Sequence, residues 1–330
     1  MLIAATAILV GFILVIWSAD LFVAGAAAIA RNLGMSPVII GLTIVSLGTS
    51  APEVLVSLTA ALSGAGELAV GNAIGSNIAN MGMVLGITAL LTPLLVLRRT
   101  ISSELAILLV VTIAAGWLLA DGILSRIDGW LMLTALVLSL TYILRKQSLD
   151  RDLQAATPDQ PIPQMGAGRS WLTFTAGLLL LIASSRLLVW GAMGAAQALG
   201  VSELVIGLTI VAVGTSLPEL AATVTGALRG HTEMALGNVV GSNLFNLLGV
   251  MAIPGLVAPE VLEPGVMSRD YPLMLLLTGL LVLAMYLGGK RKNAPEGYSY
   301  LGRGTGLLLV AIYALYYYWL YLTVHPQDLI

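Results

Sequence analysis

Gly48-Thr49-Ser50-Ala51-Pro52-Glu53 sets a carboxylate inside an apolar run, and the pattern returns as Gly214-Thr215-Ser216-Leu217-Pro218-Glu219. From Glu53 to Glu219 the offset is 166 residues. The same offset aligns Gly41-Leu42-Thr43-Ile44-Val45 with Gly207-Leu208-Thr209-Ile210-Val211. It also aligns Gly71-Asn72, Gly75-Ser76-Asn77 and Asn80 with Gly237-Asn238, Gly241-Ser242-Asn243 and Asn246. A charged side chain at bilayer depth costs about 2.5 kcal/mol or more. Two in matching settings mark one unit used twice.

The surrounding composition fixes the class. The chain is 58% hydrophobic and 10% charged, with a mean hydropathy of +0.97. A soluble domain carries roughly 25% charged residues, so this chain cannot clothe a water-facing surface and reads as a polytopic membrane protein. A net charge of −2 makes no case for nucleic acid. The absence of cysteine excludes disulfides and thiolate metal sites. Met1-Leu2-Ile3-Ala4-Ala5 has no positive leader and opens an apolar run too long for a signal peptide, which predicts a retained first span.

Apolar runs of spanning length fall near 2–30, 38–62, 68–92, 101–120 and 127–145, then near 170–198, 204–228, 234–258, 271–288 and 304–323. With the N-terminus outside, twelve Lys and Arg side chains lie in inner loops, and only Arg126 and Arg269 in outer ones. This bias predicts both termini outside. Five spans per half is an odd number, so the second half crosses in the opposite sense. The expected fold is therefore an all-α membrane protein of ten transmembrane helices in two inverted five-helix repeats. The first repeat is 1–145 (motif 41–80), the second is 170–330 (motif 207–246), and 146–169 is a polar, proline-rich cytoplasmic connector.

Proline lacks an N–H and clashes with the carbonyl four residues back. Pro52 and Pro218 therefore predict broken helices, with carbonyls near Ser46–Gly48 and Ala212–Gly214 turned towards a cavity. Thr49, Ser50, Thr215 and Ser216 add hydroxyls, and Glu53 and Glu219 add charge. Ser76 with Asn80, and Ser242 with Asn246, are each four residues apart and share a helix face. An all-oxygen set suits hard cations such as calcium and sodium. His231 and His325 fall at loop or terminal positions and read as solvated.

Other polar positions have blander readings. Gly71-x3-Gly75 and Gly237-x3-Gly241 let helices approach closely. Glu67 and Glu233 read as solvated loop edges, and Glu104, Asp121 and Asp128 as interfacial charges. Asp20 aligns with Arg186. Either the two form an intramembrane ion pair between the long first and sixth spans, or each finds a local partner.

Gly-Thr-Ser-x-Pro-Glu followed by Gly-Ser-Asn-x-x-Asn, present twice, resembles the α-repeats of the cation/calcium exchanger superfamily. The ten-span layout resembles the bacterial inner-membrane calcium/sodium antiporters. The resemblance implies exchange by alternating access, with no cofactor, no obligatory protein partner and a functional monomer. It implies carboxylate ligands at Glu53 and Glu219 and hydroxyl ligands at Thr49, Ser50, Ser76, Thr215, Ser216 and Ser242. It also implies carbonyl ligands at Ser46 and Ala212, and gating by the first and sixth spans. Some members carry Asp where this chain has Asn246, so the site holds only two formal negative charges. Calcium would neutralise them; that departure leaves the ion ratio and proton or potassium coupling open.

The expected function is calcium extrusion driven by sodium. Proton-coupled calcium antiport is the alternative, since paired carboxylates can share protons. A channel would use several subunits around an axis. An intramembrane hydrolase would need a nucleophile–base or metal constellation that is missing beside the glutamates, so an enzyme is not expected.

Overall fold

The computed structural model describes residues 2–149, 164–199, 212–289 and 295–324. Leu2–Leu33 forms one uninterrupted helix, α1. At 1.5 Å per residue its 32 residues span about 48 Å, which exceeds a ~30 Å hydrocarbon core and requires tilt. Ser36 then accepts the Ile39 N–H at 3.3 Å and Pro37 occupies the first turn, so a new helix starts at once. This helix, α2 (Pro37–Thr49), bends by 44° into α3 (Ala51–Leu62).

The rest of the first half is α4 (Gly66–Leu91), β1 (Leu94–Leu97), α5 (Arg98–Leu118), β2 (Ile123–Leu124) and α6 (Arg126–Leu149). The chain continues with α7 (Ala167–Ala198), α8 (Ala212–Thr215), α9 (Leu217–Leu228) and α10 (Thr232–Val257). It closes with β3 (Glu260–Val261), α11 (Val266–Gly288), β4 (Tyr298–Leu301) and α12 (Arg303–Val324).

Among the described residues seven helices are long and apolar enough to cross a membrane, or eight if α2 and α3 count as one bent span. The run at 204–228 falls partly outside the described residues. One boundary differs from the sequence reading. The connector is shorter than 146–169, because α6 continues to Leu149 and α7 begins at Ala167; its middle, 150–163, lies outside the described residues. The described spans are all helical, as expected, and short two-stranded ladders join the segments at their ends: β1 pairs antiparallel with β4, and β2 with β3. These short ladders satisfy backbone groups where the chain leaves a helix.

Burial singles out the centre. The spanning windows of α4 and α10 are each 78% buried, against 28–39% for α1, α5, α6, α7 and α11. Those five present apolar side chains such as Trp17, Trp117, Trp130 and Leu179 outward, as a lipid-facing surface does. Around the central pair, α3 packs on α4 and α9 on α10. The packing also crosses over: α9 meets Asn80–Leu85 of α4, and α3 meets Asn246–Val250 of α10.

α1 and α7 lie antiparallel beside this core, meeting where Ser18 Oγ and Ser184 Oγ are 3.3 Å apart. Ser18 and Ser184 are themselves 166 residues apart. A Cβ on Gly11 would meet Leu188, and one on Gly177, the aligned position, would meet Phe22. The same exchange relates Gly25 on Phe174 to Gly191 on Ala4, Ala7 and Ile8. Glycine is needed at these points because the backbones touch.

Candidate cation site

The break between α2 and α3 falls at Ser50 (φ −83°, ψ 5°), and the break between α8 and α9 at Ser216 (φ −90°, ψ 7°). Each serine is followed by a residue and then proline, so the next helix starts without needing the proline N–H. Glu53 and Glu219 lie in the first turn of α3 and α9, where the helix dipole favours a carboxylate. They are 0% and 1% exposed.

The carbonyl expectation is corrected in part. The Ser46 carbonyl is not freed: it accepts the Ser50 N–H at 2.9 Å and the Thr49 hydroxyl at 3.3 Å. The break lies after it, so its helical bond survives. In the second half the Ser216 N–H reaches the Val213 carbonyl at 3.2 Å. Ala212 starts the described part of α8.

The side chains converge between the halves. Ser50 Oγ donates to Glu219 Oε1 at 3.2 Å, joining the first motif to the second acid. Glu53 follows Ser50 by three residues, in the first turn of α3. Thr49 Oγ1 donates to Asn238 Oδ1 at 3.3 Å. Asn80 and Asn246 each open a π-helical segment, Asn80–Leu85 and Asn246–Val250, and both are buried beside the opposite motif helix. Widened turns of this kind recur at functional sites because they redirect side chains. Ser46, Thr49, Ser50, Ser76, Ser216 and Ser242 are buried, while Thr215 is half-buried. The Ser46 hydroxyl bonds back to the Leu42 carbonyl at 2.7 Å, so a ligand role for Ser46 falls to its carbonyl, which would give up the long Thr49 bond to take an ion.

Buried polar atoms without a hydrogen-bond partner concentrate here. They are both carboxylate oxygens of Glu53, Oε2 of Glu219, the hydroxyls of Ser216 and Ser242, and both amide atoms of Asn80 and Asn246. These make nine of the thirteen such atoms among the described residues, so the excess is local rather than general. Each orphan costs about 1–3 kcal/mol, and a native fold keeps such groups where a ligand or a reaction uses them. No group of three or more His, Cys, Asp and Glu gathers among the described residues, so the charge available is that of the two glutamates.

Sequence reasoning missed two supporting pairs. Asn72 Nδ2 donates to the Ser57 hydroxyl at 3.0 Å and the Glu53 carbonyl at 3.1 Å. At the aligned positions Asn238 Nδ2 donates to Thr223 Oγ1 at 2.9 Å. The aligned Asn72 and Asn238 were the available signal.

Other expectations change. Asp20 pairs with Arg229, not Arg186. The antiparallel crossing at Ser18 and Ser184 sends Asp20 and Arg186 to opposite sides of that point. Glu104 is 1% exposed and takes the Ser103 hydroxyl at 2.8 Å, so it is buried rather than interfacial. Glu233 accepts the Leu97 N–H at 3.2 Å, tying α10 to β1 instead of standing in solvent. His231 is 9% exposed, not solvated, and stands at the N-cap position of α10 without a side-chain cap bond; His325 lies outside the described residues. Gly237 and Gly241 do bring α10 against α2, facing Val38, Leu42 and Ser46, whereas Gly71 and Gly75 have open space where a Cβ would stand and are not closely packed.

Comparison with known proteins agrees with this geometry. The family described as "Sodium/calcium exchanger protein" matches residues 3–145 and 169–322. The putative antiporter CaxA of Alkalimonas amylolytica is 47% identical, over 90% of this chain and 95% of its own. The inner membrane protein YrbG of Escherichia coli K12 is 38% identical, over 97% and 98%. Among solved structures, the sodium–calcium exchanger NCX_Mj superposes with a TM-score of 0.80 at 32% identity, covering 95% of this chain and 97% of that one. The chain is thus a multi-pass integral membrane protein and belongs to the sodium/calcium exchanger family of cation/calcium antiporters.

Proposed function

We propose that this protein exchanges calcium for sodium by alternating access, at one site built from both halves. Glu53 and Glu219 carry the charge. Thr49, Ser50, Ser76, Thr215, Ser216 and Ser242 supply hydroxyls, Asn80 and Asn246 amide oxygens, and Ser46 and Ala212 carbonyls. The reading rests on the unpartnered buried oxygens of Glu53, Glu219, Asn80, Asn246, Ser216 and Ser242. Hard cations take such oxygens as ligands.

Around the site we infer ten transmembrane helices in two inverted repeats, 1–145 and 170–330, with both termini outside and 146–169 in the cytoplasm. The exchanged contacts of Gly11 with Gly177 and of Gly25 with Gly191 support a two-fold relation. The bacterial relatives support an inner-membrane location. One chain holds both acids, so a monomer suffices.

Coupling follows from competition. Calcium and sodium both need Glu53 and Glu219, so they exclude each other. An empty site leaves two carboxylates unpaired in low dielectric, which opposes an empty crossing. The long α1–α7 pair slides past the core while the acids stay in place. Purified protein in vesicles should take up calcium down an opposing sodium gradient. Uptake driven only by a proton gradient would instead favour proton coupling, which the paired acids also permit.

A further inference from the structure

We propose that the Asp20–Arg229 ion pair is a latch possessed by only one of the two access states; this rests on the alternating-access reading above. Asp20 Oδ1 of α1 pairs with Arg229 Nη2, at the end of α9. Along the same seam α1 packs on α9, and Ala222 lies 3% exposed in a cluster with Val23, Ala26 and Ala27. This crevice is shut.

The aligned crevice in the other half is open. There α7 lies off α3, and a cavity of about 240 Å³ separates them. Val56, the counterpart of Ala222, lines that cavity together with Arg186 and Val189. With the N-terminus outside, the shut crevice faces the cytoplasm and the open one faces outwards.

In an inverted repeat the second state is reached when the halves exchange conformations. The contact that replaces Asp20–Arg229 then joins their counterparts, Arg186 and Ser63. Arginine and serine form no ion pair. The two states are alike in shape but unlike in charge, so the latch weights the balance towards the outward-open one. The two side chains are 45% and 36% exposed. Partly solvated pairs of this kind shift a two-state ratio by about two- to five-fold.

The chain has no cysteine, so single reporters can be placed cleanly. Val56→Cys reports the outer crevice and Ala222→Cys the inner one. Both are labelled in vesicles with a membrane-impermeant maleimide applied from either side. Asp20→Asn and Arg229→Gln are each expected to slow Val56→Cys labelling and speed Ala222→Cys labelling, so that the ratio of the two rates falls by about two- to five-fold. The double variant should match the singles, Arg229→Lys should keep wild-type rates, and the exchanged pair Asp20→Arg with Arg229→Asp should restore them. Unchanged rates in the singles, additive losses in the double, or acceleration at both reporters (loosening without a shift between states) would overturn the latch. Calcium flux in the same vesicles is read separately. A labelling shift without sodium-driven flux would leave the latch standing and remove the proposed ions; normal flux without a labelling shift does the reverse.

Discussion

Thr49 and Thr215 hold equivalent places in two copies of one motif, yet Thr49 is fully buried and bonded to Asn238, while Thr215 is half-buried and lines the cavity beside α7. The local backbone does not account for this. Ser50 and Ser216 break their helices at nearly the same angles, and the Val54 and Leu220 N–H groups return to Ser50 and Ser216 at 3.2 and 3.0 Å. The turns after the motif helices also agree, with Ala65 N–H on Ala60 at 2.9 Å and His231 N–H on Gly226 at 2.8 Å. What differs is the flanking helix: α1 is seated on α9, and α7 is not seated on α3. The repeated sequence therefore dictates local geometry twice, and tertiary seating decides which copy is covered. A transporter that alternates needs both properties, since the halves must be interchangeable locally and unequal at any moment.

The strongest challenge to that equivalence removes one acid at a time. Glu53→Gln and Glu219→Gln should each lower exchange by at least about 100-fold, the order of losing a charged ligand interaction, with no loss of folded protein. Flux and size-exclusion profile together check this. Full exchange in either variant would mean that one half alone binds the ions.

A smaller effect separates the supporting asparagines. Asn238 is 1% exposed and links Thr223 to Thr49, whereas Asn72 is half-buried on Ser57 and the Glu53 carbonyl. Asn238→Ala should therefore destabilise by about 1–3 kcal/mol, because it strands the buried Thr223 hydroxyl, and Asn72→Ala by less. Thermal unfolding in detergent ranks the two. Equal losses would mean that covering the motif adds nothing to its hydrogen bonds.

Ser50 and Ser216 sharpen the comparison further. Ser50 donates to Glu219, but the Ser216 hydroxyl has no partner. Ser50→Ala should cost about 1 kcal/mol of ion-free stability, and Ser216→Ala close to none. Both should reduce the stabilisation gained on adding calcium, because both hydroxyls are proposed ligands. Melting curves with and without calcium separate the two contributions.

What the sequence made legible was whatever the offset repeats. Glu53, Glu219, Asn80 and Asn246 come together because a doubled polar pattern in apolar surroundings has to meet itself or face lipid. The breaks were legible from Pro52 and Pro218, though placed too early for the Ser46 carbonyl, since a proline spoils the bond four residues back and leaves earlier ones intact. Partners set by helix packing were not legible. Asp20 aligns with Arg186, but the helix crossing hands it Arg229, which no spacing rule connects to it. Glu104 looks interfacial in the sequence and is buried because neighbouring helices cover it. The ladders β1–β4 and β2–β3 join segments far apart in the chain, too short to carry an alternating pattern of their own.

The smallest expected effect tests the turn itself. His231 stands where the first copy has Ala65, in a turn with the same hydrogen bonds. Burial, and then the charge of Arg229, push the His231 imidazole below its ordinary range. The folded protein thus binds that proton less readily than the unfolded chain does. The resulting stability is present above the unfolded value near 6.5 and is lost as pH falls through the folded one. His231→Ala should fold, because alanine already fits the equivalent turn, and should remove that acid sensitivity. Melting temperature compared between pH 7.5 and pH 5.5, both approximate settings (about one unit either side of the imidazole range), should drop more in the wild type than in the variant. An equal drop in both would show that the acid response comes from elsewhere, and that the two turns differ in sequence without differing in physics.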